Sequence, residues 1–315
     1  MDRPGGRAYA QPMLSPFRSF IQAGFECGRL EWQGNFCLLS GSRHLPEADM
    51  AAHYRILRAH GIRTVRDGLP PWLPIAPRLA LAAREGMEVI WDLNHYWRHD
   101  DPAGYAARVA QAVRETVPDR PFWCCFNELS FHPRMCPGES FEHVAAQARD
   151  IFLRLRAELP DLRLVTAEPG HRPHETGAHA ALADLADVIG VNYYPHEARR
   201  SLGRSLRDAA LRYGKPVMVA ETGLHTGRRP FWKDVRSKGD WLRFALSEVR
   251  RSKAPVVGLC WYPIVNMPAW NAPHRRRWDH GLIREDLSVD EGLSAALREA
   301  TGYMPEPSTS ISSPR

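Results

Sequence analysis

Eight short apolar runs recur along this 315-residue chain, and each is followed by polar or Gly/Pro residues and then by a stretch of helical periodicity. The runs are Phe20–Phe25, Thr64–Val65 with its flanks, Val89–Leu93, Phe122–Phe126, Leu162–Ala167, Val188–Val191, Val217–Ala220 and Val256–Trp261. Near-continuous apolarity is what a strand buried on both faces requires, and such strands belong to parallel sheets. Between them, Glu47–His60, Arg78–Glu85, Pro102–Thr116, Ser140–Leu159, Gly177–Leu185, Ala198–Tyr213 and Gly239–Arg251 place apolar residues at a 3.6-residue period, and Ser288–Ala300 completes the set. Gly61 and Gly86 follow two of these segments where a left-handed C′ residue belongs. Strict β-α alternation predicts an α/β fold with a parallel sheet. Eight units at roughly 30 residues each predict closure into a single (β/α)8 TIM barrel. An open doubly wound sheet is the structural alternative, but no G-x-G-x-x-G follows the first run.

The barrel is expected over residues 18–303, with unstructured Pro- and Ser-containing segments at 1–17 and 304–315. No stretch approaches the ~18 consecutive apolar residues of a membrane span. The first twenty residues lack the apolar block of a secretory signal, so the expected location is cytoplasmic. The net charge is +6, from 42 Lys and Arg against 36 Asp and Glu, but the cations are spread along the chain among acids. A nucleic-acid binder gathers them on one face or in one tract, so no nucleic-acid partner is expected. The six cysteines form no C-x-x-C pair; with no signal, reduced thiols are expected, Cys124, Cys125 and Cys260 serving as small core residues. No metal or other cofactor is expected.

Polar and ionisable residues stand immediately after nearly every apolar run: Glu26, Arg66-Asp67, Asn94-His95, Asn127-Glu128, Glu168, Asn192-Tyr193-Tyr194, Glu221 and Trp261. A packed barrel needs no such ring, and unpaired carboxylates there would cost free energy. Active sites of (β/α)8 barrels sit at this C-terminal rim. Glu128 and Glu221 close the fourth and seventh runs, on strands that face each other across the mouth. Two carboxylates so placed can flank a glycosidic bond, one attacking the anomeric carbon and the other protonating the leaving oxygen. Retention of configuration needs them about 5–5.5 Å apart, inversion about 6.5–9.5 Å.

These residues resemble the retaining β-glycosidases of the (β/α)8 clan that includes glycoside hydrolase families 1 and 5. Phe126-Asn127-Glu128 resembles the strand-4 signature, which would make Glu128 the acid/base and Asn127 the ligand of the sugar 2-hydroxyl. Ala220-Glu221-Thr222-Gly223 resembles the strand-7 segment, which would make Glu221 the nucleophile. Arg66 matches the arginine that holds that nucleophile, and Trp91-Asp92-Leu93-Asn94-His95 the segment whose His95 contacts sugar. Asn192-Tyr193-Tyr194 matches the segment whose tyrosine orients the nucleophile, and Trp261 the tryptophan under the sugar. The sequence departs from family 1 at Leu129, where that family has Pro, at Thr222, where it has Asn, and at Glu26, where it has Gln. The resemblance implies a retaining glycoside hydrolase without cofactor, acting on a carbohydrate or glycoside; a transglycosidase with the same residues or a non-catalytic carbohydrate-binding barrel are the alternatives. A metal-dependent sugar isomerase or lyase is a further barrel chemistry, but no H-E-x-x-H occurs.

Several assignments have two readings. Arg66 either orients Glu221 or neutralises Asp67 or Asp92. His95 either binds substrate or is a hydrogen-bonded core histidine. Strand alternation turns only one of Tyr193 and Tyr194 inward, and the reading gives that place to Tyr193. Glu26 and Glu168 either bind sugar hydroxyls or brace loops. The Trp270, His274, Trp278 and His280 cluster either stacks on sugar or staples its own loop.

Overall fold

A computed structural model describes residues 15–30, 36–37, 41–172, 175–224, 235–269 and 277–302. Eight parallel strands form a closed barrel in chain order: β1 (Ile21–Gly24), β2 (Thr64–Gly68), β3 (Glu88–Asp92), β4 (Phe122–Asn127), β5 (Leu162–Pro169), β6 (Val188–Asn192), β7 (Val217–Thr222) and β8 (Val256–Trp261). Closure is made by β1, whose Ala23 sits opposite Trp261 on one side and Val65 on the other.

The helices are α1 (Met50–Arg58), α2 (Ile75–Arg84), α3 (Pro102–Thr116), α4 (Phe141–Glu158), α5 (Leu202–Tyr213), α6 (Lys238–Ser252) and α7 (Glu291–Thr301), with one short turn of helix at His132–Met135. Their starts are chemically marked. Asp101, Ser140, Ser201, Ser237 and Asp290 each accept a hydrogen bond from a first-turn N–H, and Ser237 with Asp240 closes a capping box. Gly61 and Gly86 both take the expected positive φ. The expected helix at Gly177–Leu185 is a 3-10 segment, Glu175–Ala181. Among the described residues, no helix is long and apolar enough to cross a membrane.

Alternation along each strand divides the core in two. Ile90, Trp123, Cys125, Val165, Ala167, Val188, Met218, Ala220, Val257 and Cys260 fill the barrel interior. Strand residues of the opposite parity, among them Val65, Val89, Trp91, Cys124, Phe126, Leu164, Ile189, Val191, Val217, Val219 and Leu259, pack outward against the helices. Cys27, Cys124, Cys125, Cys136 and Cys260 are buried free thiols. Phe17 closes the bottom of the barrel, its ring 4.6 Å from that of Trp123, and Ser15 bonds the Val257 carbonyl at 2.7 Å. Residues 15–17 are therefore ordered parts of the barrel floor, which corrects the expectation of an unstructured segment through 17. Residues 1–14, 303 and the expected tail at 304–315 lie outside the described residues.

Candidate active site

The rim of the barrel depends on which way each strand-end residue faces. On β2, Val65 is outward, so Arg66 turns into the barrel and Asp67 turns out. Asp67 is held in the helix layer by His44 at 2.9 Å, Tyr54 at 2.7 Å and Arg78 at 2.6 Å. The reading in which Arg66 neutralises Asp67 is thereby set aside. Arg66 spreads its guanidinium over three inward groups: Glu221 Oε1 at 2.5 Å through Nη1, and Asp92 Oδ2 and Asn127 Oδ1 each at 2.7 Å through Nη2. It is 4% exposed, and although burial opposes its charge, the surrounding anions hold the guanidinium firmly protonated.

The two glutamates both stand at positions that simple alternation would send outward. On β4, Trp123, Cys125 and Asn127 face in, so Glu128 would face the helices. Its backbone takes φ +41° instead, a left-handed conformation that costs a non-glycine residue about 1–2 kcal/mol. The turn is held by Glu128 N donating to Ala167 O at 2.6 Å and by Glu128 O accepting from Phe131 N and His132 N. On β7, Met218 and Ala220 face in, so Glu221 would again face out. Here a β-bulge intervenes: Val191 pairs with Val219, but the next residue, Asn192, pairs with Glu221. One extra residue re-aims the side chain. Thr222 then takes the outward position, its Oγ1 donating to Tyr193 O and accepting from Trp241 Nε1.

The carboxyl groups occupy different surroundings. Glu221 is ion-paired with Arg66 through Oε1 and accepts the Tyr194 hydroxyl at 2.7 Å on Oε2. Among the described residues, Glu128 has no cation in hydrogen-bond contact. It accepts Tyr96 OH at 2.5 Å and Asn192 Nδ2 at 2.9 Å. Those two donors favour the carboxylate, but burial and then the charge of Glu221 outweigh them and push the Glu128 carboxyl up. Tyr96 is itself left-handed, φ +62°, so both partners of the short Tyr96–Glu128 bond carry backbone strain.

Asn127 lies between the glutamates. Its Oδ1 accepts from Arg66 and from Asn192 Nδ2 at 3.1 Å, and its Nδ2 lies 3.2 Å from His95 Nε2 and 3.3 Å from Tyr96 OH. His95 bonds Asp92 through Nδ1 at 2.9 Å, with Glu26 3.5 Å from Nε2. Burial pulls the His95 ring down, but Glu26 and Asp92 together carry it above its usual value. Glu26 is buried, accepts the Tyr262 hydroxyl and the Gly28 N–H, and faces the Cys27–Asp92–His95 corner.

The structure thus brings Glu26, Arg66, His95, Asn127, Glu128 and Glu221 to one mouth. Two expected members are elsewhere. Tyr193 faces outward, its hydroxyl on Arg200 O at 2.6 Å and its ring stacked over Trp241. Tyr194 takes the place given to it. Val188, Gly190 and Asn192 point inward, so the strand's own parity already placed Tyr193 on the outside. Trp261 has no exposed surface; it packs in the outer core layer and donates to His280 O at 2.9 Å. Its ring therefore faces the helix layer and not the mouth, which corrects that expectation. Its neighbour Tyr262, reaching Glu26 and stacked 6.4 Å from His95, is the β8 aromatic at the site.

Sequence reasoning did not single out Tyr96, Asn192 or Tyr262 as site residues. Glu168 braces a loop, accepting Ser130 Oγ at 2.6 Å, and burial pushes its carboxyl up to about 8. Trp278 and His280 stack on each other at 5.2 Å; Trp270 and His274 lie outside the described residues.

No protein-family model matches the sequence, and no curated protein matches it. Solved structures do. A β-glycosidase from Pyrococcus horikoshii superposes with TM-score 0.63 at 13% identity, over 92% of this chain and 96% of that one. The β-glycosidase BGL167 gives 0.58 at 16% identity, over 95% and 100%. A β-D-glucuronidase from Dictyoglomus thermophilum gives 0.61 at 15% identity, over 92% of this chain; the chain spans only 51% of that enzyme. At these identities the likeness is one of architecture: this chain shares the (β/α)8 barrel on which those β-glycosidases and the β-glucuronidase are built.

Proposed function

We propose that the chain is a retaining β-glycosidase, with Glu221 as nucleophile and Glu128 as acid/base. The observation that carries the reading is the division of labour between two carboxyl groups at one barrel mouth. Glu221 lies in an ion pair with Arg66, whereas Glu128 is held by the neutral donors Tyr96 and Asn192, with no cation in contact among the described residues, and is pushed toward the protonated form. Environments that differ in this way mark a nucleophile and an acid.

In the first step the Glu128 proton passes to the glycosidic oxygen while a Glu221 oxygen attacks the anomeric carbon. The bond to the leaving alcohol breaks, and a glycosyl ester on Glu221 forms. In the second step Glu128, now a carboxylate, takes a proton from water, whose oxygen displaces Glu221 from the same carbon. Glu128 is protonated again and Glu221 is free. Arg66 and Tyr194 hold the two oxygens of Glu221, so the attacking carboxylate arrives oriented. Tyr96 and Asn192 hold those of Glu128. Asn127 and His95 supply polar groups on the sugar side, and Glu26 extends that set. The neighbours named as β-glycosidases and β-glucuronidase support a carbohydrate substrate.

The test is release of nitrophenol from a panel of aryl β-glycosides by wild type, Glu221→Gln and Glu128→Gln. Loss of turnover in the Glu221 variant, with azide rescuing the Glu128 variant to a β-glycosyl azide, is the expected result. Retention of turnover by Glu221→Gln, or an α-azide product, would overturn the assignment.

A further inference from the structure

The loop between β4 and α4 carries a second cluster with its own chemistry. His132 and Cys136 are four residues apart on the short helical turn His132–Met135 and its cap, so they share a face. Cys136 N bonds His132 O at 2.9 Å, and Gly138 then takes φ +96° and turns the chain back, which returns Glu139 to that face. His132 Nε2 and Glu139 Oε2 meet at 2.5 Å. One donor atom from each of His132, Cys136 and Glu139 lies within 4.8 Å of the others. His132 and Cys136 are fully buried, and the Glu139 side chain is 14% exposed, giving the cluster an edge toward solvent.

We propose that His132, Cys136 and Glu139 form a binding site for a zinc-class divalent ion. The donor set is sulfur, imidazole nitrogen and carboxylate oxygen, the combination that suits zinc. Binding releases one proton, from the Cys136 thiol to solvent. Without the ion the His132 ring proton lies on Nε2, facing the Glu139 carboxylate. On binding it transfers to Nδ1 so that Nε2 is free to take the ion, and Glu139 binds as carboxylate, leaving the net release at the one thiol proton. Thiolate and carboxylate together cancel the two positive charges, so a neutral complex replaces a buried thiol, as burial of a cation demands. A fourth position is left to water at the Glu139 edge. The Cys27–Asp92–His95 corner is a weaker candidate, because Asp92 is already paired with Arg66, whose cation would repel a metal.

The site bears on the rim. Cys136 Sγ donates to Tyr96 O at 3.2 Å, and the His132 ring lies 6.2 Å from that of Tyr96. Loss of the thiol proton on ion binding would remove the Cys136–Tyr96 hydrogen bond, so occupancy of the site would act on the strained residue that holds Glu128.

The experiment is metal analysis of the full chain purified from zinc-supplemented cells without chelator, followed by cobalt titration of the demetallated protein. Zinc is expected at about one equivalent. Cobalt is expected to give the thiolate-to-metal charge-transfer band that a cysteine ligand produces. Both signals fall to background in Cys136→Ser and in Glu139→Gln; the second variant alters a partly exposed residue and guards against misfolding of the first. Background zinc and cobalt in the wild type, or undiminished metal in both variants, would overturn the proposal. None of these readouts depends on glycoside turnover, so the metal site and the glycosidase reading stand or fall separately.

Discussion

Replacing Tyr96 by Phe removes one hydroxyl from Glu128, the proposed acid/base, and leaves the ring to pack. The phenol is held far above its usual range by burial and then by the Glu128 charge, so it stays protonated and donates to Glu128 Oε2 at 2.5 Å. A hydrogen bond to a charged group is worth about 1.5–3 kcal/mol. That bond favours the ionised form of Glu128, and at 1.36 kcal/mol per pKa unit its loss raises the carboxyl by about 1–2 units. Asn192 still donates to Oε1, so the side chain keeps one anchor. The assay is the pH dependence of kcat/KM on an aryl glycoside, whose alkaline limb reports the general acid of the free enzyme. In Tyr96→Phe that limb moves to higher pH by about 1–2 units, with the acid limb little changed. A limb that stays in place, or moves to lower pH, would refute the assignment of Tyr96 as the donor that sets the Glu128 pKa.

Two further outcomes follow from the same geometry. Tyr194→Phe removes a hydrogen bond to Glu221 and lowers kcat/KM by about 10- to 150-fold, whereas Tyr193→Phe costs about 1 kcal/mol of stability and little activity; urea melts and initial rates on both variants separate the two. Glu168 is buried and its carboxyl sits at about 8 in the folded chain against an ordinary 4.5, so the folded state keeps a proton that the unfolded state loses. Stability is therefore unpenalised below pH ~4.5 and declines as pH rises from there to ~8, by up to ~5 kcal/mol. Glu168→Gln abolishes that slope and is more stable than wild type at pH 7, as denaturant midpoints across pH 4.5–8 will show.

The barrel was legible because burial on both faces writes itself into sequence as apolar runs such as Phe122–Phe126 and Val256–Trp261. The strand-end ring was legible in part: Glu26, Arg66, Asn127, Glu128 and Glu221 do meet at the mouth, whereas Asp67 and Glu168, in the same ring, serve the helix layer and a loop. Side-chain direction was not. Glu128 faces the mouth through a left-handed backbone and Glu221 through a bulge, and neither device has a residue signature here. Tyr193 was misplaced for a different reason, since alternation from Val188 through Asn192 already turns it outward. Tyr96 reaches Glu128 only because its own φ is positive, which no aromatic residue advertises. The helix expected at Gly177–Leu185 had the right periodicity but adopts a 3-10 turn between β5 and β6.

The central claim is that Glu221 becomes covalently glycosylated. A 2-deoxy-2-fluoro β-glycoside with a good leaving group destabilises the oxocarbenium-like transition states and lets the glycosyl-enzyme accumulate. The account predicts an intact-mass gain of one fluoroglycosyl unit, mapped by peptide sequencing to Glu221 and absent in Glu221→Gln. A label on Glu128 or any other residue, or no label with a glycoside whose 2-hydroxy parent is turned over, would contradict it.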